Sequence, residues 1–327
     1  MRAIVNARPG GAEVLELRER PVPEPGVGQV RVRVHASALN RADLMQRQGH
    51  YPAPPGAPQD VPGMEYAGEV DAVGAATTLW CVGDRVMGIV AGGAHAEYLV
   101  AHEREVIPIP ANLSWSDAAA IPEVFLTAYD ALFTRLDVRV GERVLVHAVG
   151  SGVGTATLQL ARLAGATVVG TSRSASKLAR ATELGLDHAI DASDSEWPAK
   201  VEAAVGKNAI HAVVDLVGGD YLPGNLRLLA PRGRLVVVGL TAGRRSDLDM
   251  GVVLGKRLHI IGTMLRGRPP EEKMALAREL SERVVPLLAS GRLKPVVEAV
   301  FSFDDIRAAH ELLESNSTFG KVVLRWA

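Results

Sequence analysis

From Gly141 onward the chain repeats one pattern: a short apolar run, a turn, and a stretch with helical spacing. The runs are "RVLVHA", "TVVGTS", "HAIDA", "AVVDLVG" and "RLVVVGL"; "GTATLQLARLAG" and "ASKLARATELG" are the clearest helical stretches. A strand with one wet face alternates apolar and polar side chains, whereas a run apolar throughout needs cover on both faces. Helices returning between such runs give that cover. The pattern therefore predicts an α/β fold with a doubly wound parallel sheet, and a hydrophobic content of 47% supplies the core it demands.

The residues before about 120 have another texture. "QVRVRVHASAL" alternates valine with polar residues, the period of a half-buried strand, and "YAGEVDAVG" and "GDRVMGIV" read likewise. Many short strands with turn signals predict a partly closed β-barrel. The prolines of "QGHYPAPPGAPQDVPG" lack donors, so this segment reads as a long surface loop, the sort that lines sites. At Ser114 the chain turns helical, with Ser114 and Asp117 spaced as a cap and Pro122 dividing two helices. Beyond Met264, "EEKMALARELSERVVPLLASG" reads as a helix and "VVEAVFSF" as a strand. "DDIRAAHELLES" then reads as a helix capped by Asp304, and "GKVVLRW" as a last strand.

Composition removes several classes of function. The 327 residues carry a formal net charge of −1 with scattered cations, which argues against nucleic acid or an anionic membrane as partner. A single cysteine, Cys81, excludes an internal disulfide framework and a Cys-rich zinc site. No apolar run is long enough to span a membrane, and "MRAIVNARPGG" lacks the apolar core of a signal peptide. The expectation is a cytoplasmic protein.

The turn in "HAVGSGVGTATLQ" carries the chemistry. Gly150, Gly152 and Gly154 would let the backbone turn tightly and approach a ligand. A helix starting near Gly152 points free N–H groups and its positive end at the turn, which suits a pyrophosphate. Ser151 and Val153 complete the loop, with Ser151 where a glycine is expected. A purely structural turn would use the same glycines; the strand–helix–strand context favours a dinucleotide. The next strand ends at Ser172, where an NAD site carries an acid for the ribose hydroxyl. Serine has no charge to repel a 2′-phosphate, and Arg173 and Lys177 can supply charge-assisted hydrogen bonds to one. Either cation alone also fits a solvated helix start; with the acid missing, the pair favours NADPH. His147 reads as a satisfied core residue and His95, in "GGAHAEY", as a solvated loop residue.

Taken in order, "NRADLMQRQGHYP", "GMEYAGEV", "VGDRVMGIVAGGAHAEYL", "LSWSDAAAIPEVFLTAYDAL" and "VLVHAVGSGVGTATLQLARLAG" resemble the medium-chain dehydrogenase/reductase superfamily. Within it the chain is similar to the zinc-free, zeta-crystallin-like quinone oxidoreductases. The resemblance implies a GroES-like barrel domain over residues 1–122, a Rossmann NADPH-binding domain over 123–265, and a return to the first domain over 266–327. It also implies a homodimer, for which "RLHIIGTML" is a candidate edge strand, although its apolar content fits a core strand equally well. Zinc-dependent members carry a cysteine where this chain has Asn40, a histidine at Met64 of Gly63-Met64-Glu65, and a second cysteine near Glu123. An amide, a thioether and one carboxylate suit zinc poorly, so no catalytic metal is expected.

By the same resemblance Asn40 and Tyr51 lie near the nicotinamide as donors toward a developing oxyanion. Asn40 as a backbone cap and Tyr51 as a stacking or lid residue are the plainer alternatives. Asp43 reads as structural, and Met45 stands where some relatives carry a tyrosine. Thr127, Gly239, Leu240, Met264 and Leu265 are further cofactor candidates, against ordinary packing. The expected activity is NADPH-dependent reduction of a quinone, whose conjugated carbonyls do without a Lewis acid. An NADPH-dependent enone or enoyl-thioester reductase is one alternative, and a non-catalytic NADPH-binding protein is another.

Overall fold

In the computed structural model, which describes residues 1–326, the chain forms two units. Met1–Leu126 with Leu265–Ala327 make one, the split unit, and Thr127–Met264 make the inserted unit. In chain order the split unit first supplies β1 (Arg2–Asn6), β2 (Leu15–Glu19), β3 (Gln29–Ala38) and α1 (Arg41–Arg47). Next come β4 (Glu65–Val73), β5 (Arg85–Ile89), β6 (Tyr98–His102), β7 (Val106–Pro108), α2 (Trp115–Ala119) and α3 (Pro122–Tyr129), the last continuing into the inserted unit from Thr127. The inserted unit alternates β8 (Arg143–Val146), α4 (Gly152–Leu163), β9 (Thr167–Ser172), α5 (Ala175–Glu183), β10 (His188–Asp191) and α6 (Trp197–Val205). It continues with β11 (Ile210–Asp215), α7 (Tyr221–Leu228), β12 (Leu229–Val237), α8 (Met250–Lys256) and β13 (His259–Gly262). The chain returns with α9 (Pro270–Glu279), α10 (Val285–Ala289), β14 (Val297–Ser302), α11 (Ile306–Glu314) and β15 (Lys321–Arg325).

In the inserted unit the sheet order is β10-β9-β8-β11-β12-β13, with every neighbouring pair parallel. Strands apolar on both faces and returning helices form the doubly wound sheet that the repeat predicts. Leu145, Val169, Val213 and Leu235 of its strands pack with Trp197, Val201 and Leu228 of its helices. Each such burial stabilises by roughly 1.5–3 kcal/mol. The direction of winding reverses between β8 and β11.

In the split unit a seven-stranded sheet runs β14-β15-β3-β4-β5-β7, with β6 paired to β3. Burial alternates along β3 as its valines do, then becomes continuous at Ala36–Ala38. One edge of β3 pairs with β4; the other is divided between β6, against Gln29–Arg33, and β15, against Ala36–Ala38. Serving two partners on one edge makes β3 the spine of the unit. Val30, Val32 and Val34 pack with Tyr66, Val70, Val86, Ile306, Val322 and Leu324.

Local signals hold in detail at several ends. Ser114 Oγ accepts the Asp117 N–H at 3.1 Å to cap α2, and a new helix begins at Pro122. The long helix expected after residue 270 is interrupted by a π-helical turn at Leu280–Val284, just before Pro286, which has no N–H to give that turn. Asp304 does not cap α11. Ser302 accepts the Asp304 N–H at 3.3 Å and opens a 3-10 turn, Phe303–Asp305, that feeds the helix. Among the described residues no helix is long and apolar enough to cross a membrane.

Candidate functional site

In the inserted unit, the candidates cluster after the C-terminal ends of parallel strands: residues 150–154 after β8, Ser172 at the end of β9, Gly239 and Leu240 after β12, Met264 after β13. An open parallel sheet takes ligands outside these ends, where the winding reverses. The left-handed residue of the β8–α4 turn is Ala148, with φ 48°, and not one of the three glycines. Their value lies elsewhere. A Cβ on Gly154 would fall 2.4 Å from the Ala148 carbonyl oxygen, so glycine is what lets α4 start against the strand end. Ser151 is the N-cap of α4: its Oγ accepts the Gly154 N–H at 3.0 Å and its carbonyl accepts that of Thr155 at 2.8 Å. Among the described residues the N–H groups of Gly152 and Val153 donate to nothing. Two main-chain donors at a helix start are thus left for an anion.

Ser172 is half-buried and its Oγ accepts the Ser174 N–H at 3.1 Å. Arg173 is exposed and makes no ion pair or hydrogen bond among the described residues, and Lys177 is half-buried in the first turn of α5. No carboxylate stands at the end of β9. Thr127 is buried in α3. A Cβ on Gly239 would meet the Leu216 carbonyl oxygen at 2.6 Å, while Leu240 is 48% exposed. Met264 is 54% exposed and Leu265 only 6%, and the two fall in different units.

His147 is a core residue, as its apolar strand implies. Thr171 Oγ1 lies 2.8 Å from Nδ1 and Asn225 Oδ1 lies 2.6 Å from Nε2. The neutral tautomer with its proton on Nε2 satisfies both, and burial lowers the imidazole's affinity for a second proton. Asn225 Nδ2 in turn donates to Asp215 Oδ2 at 3.1 Å, and Asp215 Oδ1 accepts the N–H groups of Val217 and Gly218. The chain of bonds ties the ends of β8, β9 and β11 together beneath the turn. His95, expected in solvent, is instead fully buried in the split unit. Its Nδ1 lies 2.7 Å from Ser37 Oγ, and burial depresses its pKa to about 3. The loop that carries it passes beneath Gly63, where a Cβ would lie 2.5 Å from the His95 ring at a φ of +98°.

The split unit gathers its own candidates around a buried ion pair that the sequence reading did not single out. Lys321, first residue of β15, lies 2.8 Å from Glu65 Oε1, and the two side chains are 4% and 0% exposed. Lys321 Nζ also donates to the Leu39 carbonyl and to Asn40 Oδ1. Asn40 Nδ2 donates to Glu65 Oε1 at 2.9 Å; its other hydrogen has only the Ala38 carbonyl at 3.5 Å. Glu65 Oε2 accepts the main-chain N–H of Glu123 at 2.9 Å. Asp43 is buried beside them and accepts the N–H groups of Asn40 at 2.7 Å and Gly63 at 3.1 Å. Burial pushes its carboxyl up against the pull of those bonds.

Tyr51 and Glu123, both half-buried, enter hydrogen bonds among the described residues through main-chain atoms: the Tyr51 carbonyl accepts from Arg266 and the Glu123 N–H donates to Glu65, while the phenol and the carboxyl make none. Tyr51 lies in the proline-rich loop with its ring 5.1 Å from the Arg266 guanidinium. Arg266 is anchored to the Ala91 carbonyl at 2.7 Å and Gln46 Oε1 at 2.6 Å. Burial raises the Tyr51 phenol and Arg266 pulls it back. Glu123 is half-buried in the first turn of α3, and burial, then the neighbouring Glu65, push its carboxyl up to about 8. Lys321, Glu65, Glu123 and Arg266 were not predicted as site residues. The available signal was a lysine directly before the apolar run Val322–Leu324 of the final strand. Among the described residues no group of three or more His, Cys, Asp or Glu side chains is placed to hold a metal ion.

Comparison with known proteins agrees with both units. Residues 26–111 match the family "Alcohol dehydrogenase GroES-like domain" and residues 152–282 match "Zinc-binding dehydrogenase". The quinone oxidoreductase of Rattus norvegicus is 31% identical over 99% of this chain and 97% of its own. The synaptic vesicle membrane protein VAT-1 homolog of Mus musculus is 32% identical over 99% of this chain and 83% of its own. Among solved structures, an NAD-dependent alcohol dehydrogenase is 37% identical with a TM-score of 0.86, covering 99% of both chains. Escherichia coli quinone oxidoreductase complexed with NADPH is 29% identical with a TM-score of 0.89, over 99% of this chain and 100% of its own. The JamJ enoyl reductase is 26% identical with a TM-score of 0.88, over 100% and 99%.

Proposed function

The chain belongs to the medium-chain dehydrogenase/reductase superfamily, in its zeta-crystallin-like quinone oxidoreductase branch, and from that premise we propose that it is an NADPH-dependent quinone reductase that works without a metal. It is an oxidoreductase with a nicotinamide cofactor, a GroES-like domain and a Rossmann domain. The choice of NADPH rests on one observation above all: β9 ends in a serine followed by an exposed, unpaired Arg173, with Lys177 nearby. An acid there would accept from a ribose hydroxyl and repel a 2′-phosphate; this end does neither.

When bound, NADPH supplies a hydride from nicotinamide C4. The chain's own work is holding and hydrogen bonding. The N–H groups of Gly152 and Val153 take the pyrophosphate, and Gly150, Ser151 and Gly154 shape the turn that presents them. Thr127, Gly239, Leu240, Met264 and Leu265 are the proposed contacts toward the nicotinamide end. On the acceptor side, Tyr51 has a free hydroxyl, and Asn40 has one amide hydrogen whose nearest acceptor, the Ala38 carbonyl, is 3.5 Å away. Both can donate to the oxygen that gains charge. The Glu65 and Lys321 pair fixes the Asn40 plane by bonds at 2.9 and 2.7 Å, so the free hydrogen has one direction. Replacing Asn40 by Ala should lower turnover more than NADPH affinity.

An acceptor screen with NADPH oxidation as readout tests the reading. Rapid turnover of 1,4-benzoquinone or 9,10-phenanthrenequinone is expected, with 2-alkenals and enoyl-CoA slow. The reverse order would favour an enone or enoyl-thioester reductase, a reading to which the likeness to JamJ enoyl reductase lends weight. Tight NADPH binding with no acceptor reduced would favour a non-catalytic NADPH-binding protein. We also propose a cytoplasmic homodimer joined through β13. Among the described residues that strand pairs only with β12, Ile260 on it is 41% exposed, and α8, just before it in the chain, buries no residue and leaves Leu254 80% exposed. Sedimentation of Ile260→Lys at half the mass of the parent would support this joint.

A further inference from the structure

We propose that Glu123 is the proton donor to the reduced acceptor, a role that rests on the reductase reading above. The position of the carboxyl argues for it. Glu123 stands at the start of α3, with its main-chain N–H given to Glu65 Oε2 at 2.9 Å, so the two carboxyl-bearing residues are held side by side. Glu65 is saturated: Lys321 and Asn40 bind one oxygen and Glu123 N–H the other. Lys321 has used its three donors on Glu65, Asn40 and the Leu39 carbonyl. Arg266 is committed to Ala91, Gln46 and the Tyr51 carbonyl. Asp43, the remaining charged neighbour, is a second acid. Neither Lys321 nor Arg266 makes an ion pair or hydrogen bond with the Glu123 carboxyl; their nearby charge pulls it down, but burial and Glu65 outweigh that pull and push it up to about 8, so it keeps its proton near neutral pH.

A neutral carboxyl with no internal partner, on a residue tied through Glu65 to Asn40, is a donor waiting for a base. Hydride addition to a quinone leaves two electrons and one hydrogen nucleus on the acceptor and one negative charge on its oxygen. That oxygen takes the Glu123 proton: the carboxyl O–H bond breaks, an acceptor O–H bond forms, and the hydroquinone leaves. The Glu123 carboxylate regains a proton from water, so the sum is quinone, NADPH and one proton giving hydroquinone and NADP⁺. A carboxyl that titrates near the working pH is well matched to both halves of this exchange.

The test uses the full-length protein and two readouts. In infrared difference spectra of the coenzyme-free protein, wild type minus Glu123→Gln, a protonated carboxyl band should be present at pH 7, fall to half near pH 8 and be lost above it. A spectrum in which this carboxyl is already ionised at about pH 6 would overturn the proposal, since most of the protons would be gone before turnover. In single-turnover reduction of 1,4-benzoquinone under saturating NADPH, the wild-type rate should fall as pH rises through that value. Glu123→Gln should lose this limb and be slower by about 100-fold, with NADPH affinity unchanged. Glu123→Asp keeps a carboxyl and should restore part of the rate with a displaced limb; it also serves if the Gln variant does not fold. Wild-type rate and limb in Glu123→Gln would overturn the donor role and leave the reductase reading standing. Failure of the wild type to reduce any quinone or enone would remove that reading and the donor role with it.

Discussion

Among the described residues the main-chain N–H groups of Gly152 and Val153 meet no partner, whereas buried Lys321 spends all three of its donors. The inserted unit holds its candidate site as open main chain beside an exposed arginine; the split unit holds its own around a buried ion pair. The difference follows from what each can leave unfinished. N–H groups at a sheet end are satisfied by water until an anion arrives. A buried charge has no such reserve, and leaving one unpaired costs several kcal/mol. Substitutions should therefore register chiefly as lost stability in the split unit and as lost affinity in the inserted unit.

Lys321→Met gives that contrast its hardest test. It leaves Glu65, 0% exposed, without its cation, and urea unfolding should show a loss of about 3–5 kcal/mol. A loss under ~1 kcal/mol would mean the pair is no more than a surface bridge. Gly154→Val is the counterpart in the inserted unit. Its Cβ would stand 2.4 Å from the Ala148 carbonyl oxygen and must push α4 off the strand end. Titration calorimetry should show both coenzymes weakened by roughly 100-fold, for a stability loss of about 1–3 kcal/mol.

Arg173→Ala combined with Lys177→Ala sharpens the contrast within one unit. NADPH should weaken by about 10–100-fold and NADH should be almost untouched, as expected for ~1–3 kcal/mol of charge-assisted hydrogen bonding to the 2′-phosphate. Equal losses for both coenzymes would remove the case for NADPH. The smallest effect is on pH dependence. Glu123 binds its proton more tightly folded than unfolded, with about 8 in the native protein against the ordinary carboxyl value of 4.5. Between the two the native state holds the extra proton, so this group's contribution is full below the lower value and is lost as pH rises through the upper. Solvent at its half-exposed end weakens the effect. From pH 5 to 8.5, wild-type Tm should fall by a few degrees more than that of Glu123→Gln.

The sequence made the inserted unit legible because its signals are local. Apolar runs, caps and turns repeat within a few residues, and Ser151, Ser172, Arg173 and His147 have the surroundings their neighbours in the chain imply. Gly154 gives the tight turn its sequence implies, while the left-handed conformation beside it falls on Ala148, a division of work that only atomic packing reveals. In the split unit the site is made by partners far apart in sequence. Glu65 and Asn40 gave no hint of Lys321, because an ion pair between β4 and β15 depends on which strands become neighbours of β3. His95 went astray for the same reason: a glycine-rich loop reads as solvated until another segment covers it.

The divided edge of β3 has a consequence for how the molecule is made. β15 sits between β14 and β3, so the sheet of the split unit stays open until residues past 320 have left the ribosome. The inserted unit, contiguous from Thr127 to Met264, has all its strands by then. Synthesis thus offers a completed nucleotide domain attached to an unfinished partner whose Glu65 still lacks its cation. A chain released early would carry an assembled coenzyme-binding half and an unpaired sheet edge, the kind of surface that chaperones recognise and aggregates recruit.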